Sequence, residues 1–77
     1  MIYLYKYRES AGLSIYKLSK LTGISRQNLM KLEKGSQPTA PVIIKLCLAL
    51  GITPTALLGW EEKLNEYKRR ITGSDDD

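Results

Sequence analysis

Apolar residues recur along the chain at helical spacing, and each run is closed by residues that end helices. Leu4, Tyr7 and Ala11 stand three and four apart, which predicts one face of a first helix that stops at Gly12. Ser14 can cap a second helix in which Leu18 and Leu21 share a face, with Gly23 as its stop. Ser25 can cap a third: its hydroxyl can accept from the backbone N–H of Gln27 or Asn28, and Leu29 and Leu32 supply an inward stripe as far as Gly35. Only Gly23-Ile24-Ser25 separates the second helix from the third, so a sharp turn must join them. After a loop at Ser36-Gln37-Pro38, Thr39 caps a fourth helix with Pro41 in its first turn, where a missing N–H costs nothing. Its core side is Ile43, Ile44, Leu46, Cys47 and Leu50, and Gly51 ends it. Thr53-Pro54 opens a short fifth helix carrying Leu57 and Leu58, closed by Gly59. The agreement among these local signals predicts an all-α, five-helix unit over residues 1–59.

Beyond Gly59 the pattern resumes. Trp60, Leu64, Tyr67 and Ile71, spaced 4, 3 and 4, draw one apolar stripe on a sixth, amphipathic helix over residues 60–71. A helix of about three turns is marginal alone, so this one must pack on the main unit or on its counterpart in a second chain. Residues 72–77 carry no apolar side chain and end in three aspartates, the composition of a disordered acidic tail.

Composition narrows the function. The 77 residues allow one domain with a modest core, and 43% apolar with 26% charged residues is the balance of an ordinary soluble globule. No apolar run approaches the roughly 20 residues that cross a bilayer, and Met1 to Tyr7 lack the layout of a secretory signal, so the expectation is a cytoplasmic protein without a membrane partner. A single cysteine, Cys47, cannot form an internal disulfide, and without histidine there is neither a zinc set nor an imidazole base. No metal, cofactor or catalytic residue is expected, and an enzyme is disfavoured. The net charge of +4 is unevenly spread. Residues 1–59 hold 8 Lys and Arg against 2 Glu, whereas 60–77 hold 4 against 6 Asp and Glu. A basic compact unit attracts a polyanion, and nucleic acid before membrane, because no stretch joins cations to a broad apolar face.

The residues from Leu13 to Leu58 resemble the Cro-like phage repressors, also called the xenobiotic-response-element family of helix-turn-helix regulators. The likeness is carried by Ala11-Gly12-Leu13-Ser14, Leu18-Ser19, Thr22-Gly23-Ile24-Ser25, Leu29-Met30-Lys31-Leu32-Glu33-Lys34-Gly35 and Leu46-Cys47-Leu48-Ala49-Leu50-Gly51-Ile52. It implies a compact five-helix, lambda-repressor-like fold, here with an added C-terminal helix, that acts as a homodimer on an inverted-repeat operator in double-stranded DNA and represses transcription. By position, Arg26, Gln27 and Lys31 match the base readers; Arg suits guanine O6 and N7, and Gln suits adenine N6 and N7. Ser14 and Ser25 match phosphate-touching helix starts, where free N–H groups and the helix dipole favour an anion. Lys20, Asn28, Lys34 and Ser36 are further expected backbone contacts. The resemblance also implies a partly buried ion pair between Arg8 and Glu33, and a buried structural thiol at Cys47. Two departures stand out. Ile15 occupies the position after Ser14 where the family commonly has a DNA-contacting Gln, and Ser19 replaces a small Ala where helices two and three cross.

Other residues are read more plainly. Lys17 and Lys45 are solvated charges. Among Tyr3, Tyr5, Tyr7 and Tyr16, Tyr7 is core by its spacing, and the others serve core or interface before base stacking. Val42 and Leu48 lie on the outward side of the fourth helix, where relatives more often carry polar groups, so this side and the stripe of Trp60, Leu64, Tyr67 and Ile71 form an expected packing or dimer surface. Two rival functions keep the fold: an antitoxin that binds a toxin protein and represses its own operon, and a protein-docking module that does not bind DNA.

Overall fold

A computed structural model describes residues 2–72 and contains six helices, with no strand among the described residues. In chain order these are α1 (Leu4–Ser10), α2 (Ile15–Thr22), α3 (Arg26–Glu33), α4 (Ala40–Leu50), α5 (Pro54–Leu58) and α6 (Trp60–Thr72). The expected acidic tail falls at 73–77, outside the described residues, and helix reaches Thr72, one residue past the expected boundary.

Each of the first five helices contributes one fully buried leucine to a common core: Leu4, Leu18, Leu29, Leu46 and Leu57. Burying a leucine side chain is worth about 2 kcal/mol, so these five anchors carry much of the apolar stabilisation of so short a chain. Around them α1 packs on α3, α2 on α3 and α4, and α4 on α5. Cys47 is buried beside Leu46, and desolvation pushes its thiol above the usual range.

The caps follow the serine and threonine pattern with one exception. Ser14 accepts from the Lys17 N–H, Ser25 from the Asn28 N–H and Thr53 from the Ala56 N–H, each at 3.1 Å. Thr39 has the extended backbone of a cap, but its side chain makes no capping bond.

Several apolar positions sit differently from their expected faces. Ala11 lies past the end of α1 and is exposed. Leu21 is 63% exposed, because the inner face of α2 is Ile15, Leu18, Ser19 and Thr22; the two hydroxyl residues hold that side by bonding backbone around the following turn. On α4, Ile43, Leu46, Cys47 and Leu50 share the inner face, which turns Ile44 outward to 57% exposure. Val42 was expected outside, yet it is half-buried against the core, on the flank that meets Ile24, Leu32 and the 36–39 loop.

Two buried residues lie outside any helical period. Ile24 fills the α2–α3 turn, and Ile2 precedes α1. The segment holding Ile2 is pinned by the Tyr3 N–H, which donates to the Leu57 carbonyl at 2.8 Å, and by the Tyr3 hydroxyl, which donates to Glu62 on α6. That carboxylate holds the phenol above its ordinary pKa.

α6 packs on α5 but does not fold over α4. Leu48 is 79% exposed, and Trp60, Leu64, Tyr67 and Ile71 are 52%, 55%, 56% and 80% exposed. The described molecule accordingly measures 50 × 20 × 19 Å.

Candidate nucleic-acid interface

The α2–α3 turn is built by short-range chemistry. Gly23 ends α2 with a left-handed backbone, φ 76°. The Thr22 hydroxyl donates to the Leu18 carbonyl at 2.8 Å and accepts from the Ile24 N–H at 3.2 Å, while the Ser19 hydroxyl donates to the Ile24 carbonyl at 2.6 Å. With both backbone groups of Ile24 satisfied, its side chain is buried and clamps the turn from inside. The Ser19 departure therefore keeps the close crossing and adds a tie that an alanine could not make.

The turn aims α3. Leu29 and Leu32 are buried, so Arg26, Gln27, Met30, Lys31 and Lys34 emerge on the other side, and all five are exposed. The starts of α2 and α3 meet along an open groove of about 770 Å³ lined by Ser14, Ile15, Tyr16, Ser25, Arg26, Gln27 and Met30. Two helix N-termini thus converge on one surface beside a guanidinium and an amide. Each cap serine already accepts a backbone bond, which leaves its hydroxyl proton free for an incoming oxygen. A second, smaller hollow of about 150 Å³ joins Asn28, Lys31 and Ser36 on the far side of α3. Ser36 is set there by its N–H, which donates to the Lys31 carbonyl at 3.0 Å.

Charge on this face is one-sided. Residues 14–36 carry Lys17, Lys20, Arg26, Lys31 and Lys34 against the single acid Glu33. Glu33 is spent on Arg8: Nε donates to Oε2 at 2.6 Å, Nη2 reaches Oε1 at 3.4 Å, and Nη1 donates to the Leu13 carbonyl at 2.8 Å. The pair raises Arg8 above its already high pKa, and it links α1, the following loop and α3 while removing the one anion that would repel a polyanion. Lys20 and Arg26 lie over opposite helices' common neighbour, the Tyr16 ring, at 5.3 and 5.7 Å from its centroid. Tyr16 was not among the expected site residues, because its place between the two cations depends on where α3 lies relative to α2.

The structure therefore brings Ser14, Ser25, Arg26 and Gln27 into one groove and Asn28, Lys31 and Ser36 into its neighbour, with Lys20 and Lys34 exposed on the same two helices' ends. No group of side chains able to hold a metal ion occurs among the described residues, and no described helix is long and apolar enough to cross a membrane.

Comparison with known families returns a match over residues 4–57, more than half of the chain, to a family model described as helix-turn-helix. No curated protein and no solved structure matches the chain significantly.

Proposed function

The chain belongs to the XRE/Cro-like helix-turn-helix regulators, a family of DNA-binding transcription regulators, and from that premise we propose that it is a sequence-specific repressor whose homodimer occupies an inverted-repeat operator. The observation that carries the reading is the groove in which Arg26 and Gln27 stand between two serine-capped helix starts. Caps, exposed N–H groups and lysines position the phosphates; Arg26, Gln27 and Lys31 read base edges from the start and middle of α3. Ser14, Ser25, Lys20, Asn28, Lys34 and Ser36 hold the backbone.

The dimer in this reading forms through α6. Its seam of Trp60, Leu64, Tyr67 and Ile71 follows the alternating 4-3-4 spacing of a two-helix coiled coil. Glu61 and Glu62 occupy the first turn, Arg69 and Arg70 the last. An antiparallel pair sets the acidic end of each copy against the basic end of the other and matches Trp60 with Ile71 and Leu64 with Tyr67 across the seam. A parallel pair stacks like charge on like charge. Thirteen residues span about 20 Å, so globules at the two ends have centres on the order of 40 Å apart, close to the roughly 34 Å between successive major grooves.

Selection of sites from a random duplex pool tests the function. The expected result is a two-fold-symmetric site with half-sites about one helical turn apart, and binding whose log affinity falls against log salt with a slope of about −5 to −9. On that site Arg26→Ala weakens binding about 5- to 150-fold while leaving random DNA nearly untouched, and Lys34→Ala weakens both alike. Failure to bind any duplex at low salt overturns the reading in favour of a protein-docking role.

A further inference from the structure

The groove between α2 and α3 has a floor that the polar contacts do not use. Ile15, Tyr16 and Met30 supply it, next to Arg26 and Gln27. Ile15 is half-buried and packed against the core, so its position is set from behind. Met30 is 47% exposed, and it reaches the groove from the turn of α3 that follows Arg26. Neither side chain can donate to a phosphate or a base edge. Laid against the phosphate backbone or the polar edge of a G·C pair, this apolar surface would desolvate groups without replacing their hydrogen bonds. One group on the major-groove edge of the four ordinary bases suits it, the 5-methyl of thymine.

We propose that Ile15 and Met30 form a thymine-methyl slot, so that each half-site carries a thymine at a fixed position beside the bases read by Arg26 and Gln27. The inference rests on the duplex-DNA reading above and adds a specificity that Ile15, which cannot form the contact of a Gln, supplies in its place. The two residues divide the work. Ile15 is the rigid wall, and the unbranched thioether of Met30 closes on the methyl from the other side. Tyr16, held under Lys20 and Arg26, borders the slot without being needed for the discrimination.

Deoxyuridine pairs as thymine does and lacks only the methyl, so the test replaces each thymine of the selected duplex by deoxyuridine in turn. One position per half-site should lose about fourfold in affinity, the value of one buried methyl group, and the rest should lose nothing. Met30→Ala, at an exposed position, should keep the melting temperature of the parent and bind the thymine and deoxyuridine duplexes equally. Ile15→Ala should also erase the difference, with folding checked by circular dichroism. A selected site without an invariant thymine, indifference of the parent to every replacement, or a difference that survives in both variants overturns the slot while leaving DNA binding intact. Selection that yields no duplex overturns the DNA-binding reading itself, and the slot with it.

Discussion

Arg8 shows how much one side chain can hold together in a chain of this length. Its guanidinium serves Glu33 on α3 and the Leu13 carbonyl at once, and its side chain is 9% exposed against 14% for Glu33. Truncation strands a carboxylate that has little water to turn to. Arg8→Ala should therefore cost about 2–4 kcal/mol, a fall of at least about 10 °C in a thermal melt for a domain of this size. An unchanged melt would show that the pair contributes nothing. The exposed Glu66–Arg70 pair, at 3.9 Å on α6, is the contrast; screened on both sides, it is worth a few tenths of a kcal/mol at most. At this scale the outward residues of α3 were legible, because two buried leucines on a helix dictate what faces away. Tyr16 and the Tyr3–Glu62 contact were not, since each depends on where a second helix lies.

Among the elements, starts and stops were readable because capping is local chemistry: a serine hydroxyl and the N–H three residues on need no tertiary partner. Which flank of a helix turns inward is another matter. Leu21 lost its inner place to Ser19 and Thr22, whose hydroxyls were needed at the turn, and Ile44 lost its place to the side of α4 that meets α2. Ile2 and Ile24 carry no helical period at all and became core through the contacts of a terminus and a turn. Two glycines separate local from tertiary cost. Gly23 and Gly59 both have positive φ, 76° and 60°, but a side chain at Gly23 would meet nothing within 4 Å, whereas one at Gly59 would run into the Tyr3 ring. Gly23→Ala should cost about 1 kcal/mol, the conformational penalty alone. Gly59→Ala should cost more, because the ring must move and take its bond to Glu62 with it. Equal melting temperatures for the two variants would show that the Tyr3 contact does not brace the junction of α5 and α6.

For the whole molecule, the question is what α6 is for. An amphipathic helix whose four seam residues are all more than half exposed has little partner for that face in its own chain beyond the contacts of its first turns with α5 and Tyr3, and pairing with a second copy would give the face a partner and relate the two α3 helices by a two-fold axis. Sedimentation at tens of micromolar should find a dimer, and Leu64→Glu, on an exposed position, should leave a folded monomer. Orientation has its own signature. In an antiparallel pair Glu61→Lys sets cation against cation and should weaken the dimer at low salt, and adding Arg70→Glu should restore it. Each of those changes alone works against the helix dipole, and residues nine apart on one helix do not touch, so recovery in the double variant can only come from attraction between chains. A dimer that Glu61→Lys strengthens would point to parallel pairing, where the change breaks up like charges, and one that survives Leu64→Glu would remove α6 from the interface.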